Sequence, residues 1–169
     1  MKIILLILFT TMLISCKSYE SHNLKNPNQE INNIINTWHL AASEAKYETY
    51  FSLMTSDGVF VGTDPTENWQ NEAFKVFSKP YFDKGKSWSF NSIQRNIYLS
   101  KDNNTAWFDE LLNTQMKICR GSGVLIKENG TWKIAHYVLS MTIPNENTNE
   151  IVKMKTLFDD NLIKKIEKN

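Results

Sequence analysis

The segment Met116–Pro144, MKICRGSGVLIKENGTWKIAHYVLSMTIP, constrains this chain more than any other. It reads as two strands joined at Glu128-Asn129-Gly130, because Asn-Gly between runs rich in β-branched and aromatic residues is the strongest short-range hairpin signal. Pairing Lys127 with Thr131 sets Val124 opposite Ile134, Ser122 opposite His136 and Arg120 opposite Val138. Side chains alternate across a strand. Arg120, Ser122, Val124 and Ile126 are therefore expected on one face with Trp132, Ile134, His136 and Ser140. That face is apolar near the turn and polar beyond it, a gradient suited to a sheet whose far end lines a pocket.

The rest of the chain places helices ahead of this hairpin. Asn26-Pro27-Asn28-Gln29 reads as a helix start, with Asn as N-cap and Pro at the first helical position. Ile31, Ile34, Ile35, Trp38, Ala42 and Ala45 then recur at helical spacing. A short second helix is expected over Tyr47–Met54, a turn at Asp57-Gly58, a short strand over Val59–Val61 and a loop over Gly62–Thr66. Asn68–Phe82 reads as a helix with Trp69, Ala73, Phe74, Phe77 and Tyr81 on or near one stripe, bent or ended by Pro80. Four strands follow, over Trp88–Ser100, Thr105–Gln115, Lys117–Lys127 and Thr131–Ile143. Consecutive long strands after helices predict an α+β fold rather than a parallel sheet. The tail from Asn147 carries Ile151, Met154, Phe158, Leu162 and Ile166 as a helical stripe that packs on the sheet or on a second subunit.

RGSGVLIKENGTWKIAHYVLS, preceded by Ala106-Trp107-Phe108-Asp109-Glu110 and by Gly62-Thr63-Asp64-Pro65-Thr66-Glu67-Asn68-Trp69, resembles the SnoaL-like branch of the nuclear transport factor 2 superfamily. The resemblance runs from about Ile31 to Asn145. It implies a cone-shaped, curved antiparallel sheet wrapped around the N-terminal helices, cystatin-like in outline, with a pocket inside. Members of the superfamily include ketosteroid isomerases, polyketide cyclases, dehydratases and many proteins with no known reaction. Relatives often pair through the convex sheet face, which implies a homodimer. The chain departs from the pattern at Lys46, where the family often has an acidic residue, at Asn68, where it often has Arg, and at Val138, where some relatives carry a second polar group.

The first fifteen residues stand apart from this plan. Lys2 opens an almost wholly apolar run from Ile3 to Ile14, of signal-peptide length and too short to span a bilayer comfortably. Leu13-Ile14-Ser15-Cys16 resembles the lipobox of bacterial lipoproteins, in which the cysteine is lipidated; a cleaved secretory signal with an accidental cysteine is the alternative. The expected layout is a signal peptide over 1–15, a lipidated N-terminus and polar tether over 16–26, a SnoaL-like domain over 27–146 and an amphipathic helix over 147–169. The expected location is the bacterial cell envelope, periplasmic or surface-facing, with a membrane anchor at Cys16. Lys2 is the only charge in the leader, so without it 18 basic side chains face 18 acidic ones. Such a balance offers no basic field to nucleic acid. With Cys16 acylated, Cys119 has no disulfide partner and reads as a small core residue on the face opposite Arg120. No clustered His or Cys pattern points to zinc, and neither a metal nor a cofactor is expected.

Candidate chemistry rests on few residues. Asp64, before Pro65, is a carboxylate at a pocket mouth or a turn former, and the turn former has the stronger local warrant. Asp109, among Trp107, Phe108, Leu111 and Leu112, must meet solvent, a partner or a pocket. If the preceding hairpin centres near Gln115 and Met116, Asp109 falls opposite Ser122, and a one-residue slip sends it to the other face. His136 is the best titrating candidate near neutral pH, against the ordinary reading of a satisfied core histidine. Arg120 either binds an anion in the pocket or pairs with Asp109 or Glu110. Trp38, Trp69 and Trp107 are aromatic wall candidates, with core packing as the default for each. The site reading puts Asp109 and His136 in the cone interior, with Arg120 deeper along the same row.

Three functions fit these residues. The first is a lipid-anchored module with a pocket for a small apolar or amphipathic ligand. The second is an isomerase, cyclase or dehydratase in which Asp64 or Asp109 abstracts a proton beside a carbonyl and His136 or Arg120 stabilises the enolate. The third is a structural or assembly protein. No spacing specifies a catalytic pair, so the binding module ranks first.

Overall fold

The structure, a computed structural model, describes residues 26–168. The apolar leader, Cys16 and the tether up to residue 25 lie outside the described residues. Helix α1 spans Pro27–Ser43, and the Asn26 side chain accepts a 3.1 Å bond from the Asn28 N–H at its start. This satisfies one of the backbone donors that a helix N-terminus leaves unpaired. Its buried face carries Ile31, Ile35, Trp38 and Ala42 of the expected stripe, with His39 and Ala41 added, while Ile34 and Ala45 are only partly buried. Ala45, at φ 53°, breaks the run before α2, Tyr47–Ser52.

Six strands follow: β1 Met54–Val61, β2 Asn68–Gln70, β3 Phe90–Leu99, β4 Thr105–Thr114, β5 Lys117–Glu128 and β6 Thr131–Met141. Helix α3, Asn71–Asp83, lies between β2 and β3. The strands form one curved sheet in the order β2-β1-β6-β5-β4-β3. Only β1 and β6 run parallel. The concave face closes on α1 and α2 in one core that joins Ile31, Ile35 and Trp38 to Trp132, Ile134 and Tyr137. This is the α+β cone expected from the sequence.

Three local expectations are corrected. Met54 opens a strand instead of ending α2, and Asp57-Gly58 lies inside β1. Between Met54 and Val59 the register against β6 advances from Ile134 only to His136, so the polar residues 55–58 are accommodated as an irregularity, not a turn. Asn68–Gln70 pairs with β1 before the helix begins. Of the two outcomes expected at Pro80, ending the helix does not occur, since α3 continues to Asp83.

The Asn129-Gly130 turn is exposed, with φ of 51° and 81°. Positive φ at both central residues is the two-residue type I′ geometry that favours Asn-Gly. Glu128 therefore pairs with Thr131 and Lys127 with Trp132, one residue from the expected register. A bulge then inserts Ala135, because Leu125 pairs with Ile134 but Val124 pairs with His136. Two residues opposing one is how a β-bulge re-aims a strand. Trp132 and Ile134 point into the core with Leu125, and beyond the bulge Tyr137 and Leu139 continue that face opposite Gly123 and Gly121. His136 and Ser140 point the other way, with Val124 and Arg120. The expected single face is thus divided: its apolar members near the turn on β6 are concave, and its polar members are convex.

The tail forms α4, Thr148–Ile166, after a short 3₁₀ turn at Asn145–Asn147. No α4 side chain is buried. The helix borders a groove with the ends of β1 and β6, which Leu162 and Ile166 line together with Val61 and Val138.

Candidate functional site

The cone opens at the end of the sheet away from the Asn129-Gly130 turn. There β1 delivers Phe60, the loop after it Gly62, β2 Trp69, and β6 Leu139, while the β4–β5 turn supplies Gln115 and Met116. Helix α3 contributes Phe74, Phe77 and Tyr81, spaced so that one helical face looks onto the opening. Trp88 and Phe90 close the far side, where β3 starts. Together they line a cavity of about 220 Å³. Its walls are ordered by ring packing. Trp69 stacks on Phe77 at 4.3 Å and on Phe74 at 5.7 Å, and Phe60 stacks on Phe74 at 4.3 Å. Phe77 and Tyr81 remain partly exposed at the mouth. Among the described residues lining the cavity, Glu67 is the sole charged side chain. Its Oε2 accepts from the Asp64 N–H at 3.2 Å, and its carbonyl accepts from the Gly62 N–H at 3.0 Å.

A second polar feature lies deeper. Glu110 is 1% exposed on the concave face of β4, flanked there by Phe108 and Leu112. Every approach to its carboxylate is occupied. His39 Nε2 donates to Oε1 at 2.8 Å and the Tyr137 hydroxyl donates to the same oxygen at 3.0 Å. Arg95 donates to Oε2 from Nε at 2.9 Å and Nη2 at 2.7 Å, a two-pronged contact. Arg95 Nη1 is held in turn by Asn32 and Asn36 of α1 at 2.9 and 2.8 Å. Burial pushes the Glu110 carboxyl up, but the hydrogen bond and charge of His39 and the Arg95 guanidinium outweigh it and hold the group below the ordinary glutamate value. Burial and the Glu110 charge push the Tyr137 hydroxyl well up, so it stays a donor. The network ties α1 to β3, β4 and β6, and its carboxylate has no open side for a substrate.

The residues expected to form a site are dispersed. Asp109 pairs with Ser122, as the β4–β5 reading required, but the pair lies on the convex face, because its neighbour Glu110 takes the concave one. Asp109 accepts there from Asn96 Nδ2 at 3.0 Å, and the Ser122 hydroxyl donates to the Phe108 carbonyl at 3.1 Å. His136 and Arg120 share that convex face, in different rows, opposite Val124 and Ser140. The interior row of Asp109, His136 and Arg120 is therefore corrected: the bulge at Ala135 turns His136 outward, and alternation with buried Glu110 on β4 and with buried Cys119 and Gly121 on β5 does the same for Asp109 and Arg120. Asp64 lies in the exposed loop before β2, where its carboxylate accepts from the Thr66 N–H at 2.9 Å and from the Thr66 hydroxyl at 2.5 Å. These bonds lower its pKa and match the turn-forming reading. Of the three tryptophans, Trp69 lines the cavity, Trp38 is fully buried against Tyr50 and Tyr137, and Trp107 is 47% exposed on the convex face, stacked on Tyr98 at 5.9 Å. Cys119 is buried beside Thr114, in the core position expected for it.

Sequence reasoning passed over Glu67, His39 and the interior role of Glu110. A signal for Glu110 exists, because Ala106, Phe108, Leu112 and Thr114 share its face of β4 and it is the lone carboxylate among them. His39 stands 71 positions away from Glu110 and carries no such signal.

Comparison with known proteins agrees with the architecture. Among solved structures, an NTF2-like protein of unknown function from Pseudomonas putida KT2440 superposes with a TM-score of 0.59 at 14% identity, covering 70% of this chain and 89% of that one. An NTF2-like protein from Cytophaga hutchinsonii gives a TM-score of 0.57 at 14% identity, over 69% and 99% of the two chains. The association domain of CaMKII from C. elegans gives 0.55 at 19% identity, over 68% and 95%. At such identities the likeness establishes the fold alone. No curated protein matches the chain. The SnoaL-like domain family matches residues 31–144, from the first buried isoleucine of α1 to just past the last strand, and the chain belongs to that family.

Proposed function

We propose that this protein binds a small apolar or amphipathic ligand in the aromatic cavity at the open end of the cone. One observation carries the reading: among the described residues the cavity is walled by seven aromatic side chains and holds a single charged group, Glu67. Apolar walls with few polar groups are the usual chemistry of a ligand pocket. An isomerase or dehydratase needs a base within reach of the substrate. Asp109 and His136 face away from this cavity, and Glu110 is enclosed by its partners. Binding therefore ranks above turnover.

The test is a titration with a neutral aromatic, tert-butylbenzene, followed through the indole N–H resonances of Trp69 and Trp88. Saturable shifts at both, lost when Phe77→Arg fills the mouth, support the reading. Absence of any shift, with a charged isostere of the probe as well as with the probe itself, leaves a structural or assembly role as the better account.

The pocket is further proposed to work at a membrane surface of the bacterial cell envelope, held by a lipid on Cys16. The support is the apolar leader ending in Leu13-Ile14-Ser15-Cys16, and Cys16→Ser should move the protein out of the membrane fraction. Pairing with a second copy through the convex face is supported by the exposed Tyr98–Trp107 stack. Trp107→Lys should then reduce the mass measured by light scattering.

A further inference from the structure

We infer that the ligand of this cavity is an organic cation, a substituted ammonium whose apolar groups sit among the rings and whose charge faces Glu67. The inference rests on the pocket reading above and names the class of ligand. It begins with charge. Among the described residues no lysine, arginine or histidine lines the cavity, so an anionic ligand finds no counter-charge there and meets the Glu67 carboxylate. A neutral ligand that fills the mouth strips water from that carboxylate without replacing it, which costs free energy. A cation both compensates Glu67 and uses the ring faces.

The walls suit the same chemistry. Trp is the strongest cation–π partner, followed by Tyr and Phe. Trp69, Trp88 and Tyr81 all line this cavity. Elsewhere in the molecule the chain supplies its own cations to its rings: Lys75 lies over Phe51, Lys79 over Tyr47 and Lys127 over Trp132, at 5.9, 5.3 and 4.8 Å. None of those rings lines the cavity.

The carboxylate is also positioned. The loop from Gly62 to Glu67 closes through backbone bonds, and the Glu67 side chain folds back over Gly62 into space that a β-carbon there would occupy. Its Oε2 is fixed by the Asp64 amide. Asp64, charged and capped by Thr66, adds negative potential beside the mouth.

The test compares phenyltrimethylammonium with its neutral isostere tert-butylbenzene, which have the same shape and differ in charge. Calorimetric titration of the wild-type protein should show the ammonium binding about tenfold more tightly, the size expected for a partly desolvated cation–π and carboxylate contact. In Glu67→Gln, which keeps an acceptor for the Asp64 amide, the ratio should fall toward one, and rising salt should reduce it in the wild type. Equal or tighter binding of tert-butylbenzene by the wild-type protein overturns the cation inference and leaves the apolar pocket standing. A preference for the ammonium that persists unchanged in Glu67→Gln overturns the assigned role of that carboxylate. Binding of neither compound overturns the pocket reading and the inference with it.

Discussion

The two faces of β4, β5 and β6 use the same strands and obey opposite rules. On the concave face the chain tolerates one carboxylate, Glu110, and surrounds it with four donated hydrogen bonds from His39, Tyr137 and Arg95. On the convex face Asp109 has one side-chain partner, Asn96, and His136 and Arg120 stand in partly exposed rows. A buried charge is stable only when its lone pairs are filled. A charge near water needs no such partners and contributes little. The contrast separates a polar group that holds the fold together from polar groups that merely occupy a surface, and chemical type alone does not distinguish them.

Removing the concave carboxylate should have the largest effect. Glu110→Leu leaves the Arg95 guanidinium buried without its anion and His39 without an acceptor. Breaking a buried pair from one side costs about 3–5 kcal/mol. Urea unfolding should register that loss, while Asp109→Asn on the opposite face should fall within about 0.5 kcal/mol of wild type. Equal losses at the two sites would erase the distinction between the faces.

Close packing over the glycines comes next. A β-carbon on Gly123 would lie 2.6 Å from Phe108 Cε1 and 2.7 Å from the His136 carbonyl. A ring and a backbone strand cannot both retreat without disturbing the core, so Gly123→Ala should cost about 1–3 kcal/mol. The same substitution at Gly130 meets no neighbouring atom, and its cost comes from the positive φ alone. Denaturant midpoints that rank Gly130→Ala as the more harmful would show that turn strain, not concave packing, dominates this hairpin.

These examples also mark what was legible in the sequence. The Asn129-Gly130 turn, the N-cap at Asn26 and the pairing of Asp109 with Ser122 follow from local chemistry, and the structure has all three. The aromatic stripe of α3 was legible too, and Phe74, Phe77 and Tyr81 form one wall of the cavity. The bulge at Ala135 was not, because no residue there has unusual backbone needs; it exists because two registers of β6 must both serve the core. That single insertion moved His136 from an expected interior row to the outside. The Glu110 network was illegible for a different reason: Arg95 is its cross-strand neighbour on β3, but His39 meets it only after α1 has packed on the sheet, 71 positions away in the chain.

Acid should test the concave face more gently. The Glu110 carboxyl is held below its ordinary value of about 4.5, so its ionised form is favoured by folding. Its contribution is complete above that value and is lost as pH falls through it toward the lower folded value. Unfolding free energy measured between pH 6 and pH 3 should therefore decline less steeply in Glu110→Gln than in wild type. Parallel declines would mean that other carboxylates set the acid limit.

The smallest effect is expected at His136, and its smallness is informative. The side chain sits in a convex row with Val59 on one side and Val124 on the other, and the row continues to Trp107 and Tyr98. It touches neither the aromatic cavity nor the Glu110 network, so His136→Ala should change stability by no more than about 0.5 kcal/mol and leave tert-butylbenzene binding unaltered. A histidine acting as base inside the cone would instead abolish the response of the cavity. If the convex face pairs with a second copy, the substitution has a third outcome that neither role shares: the association constant shifts while the isolated subunit keeps its stability and its ligand. Measuring all three quantities on one variant thus assigns His136 to the cavity, to the surface or to an interface between copies.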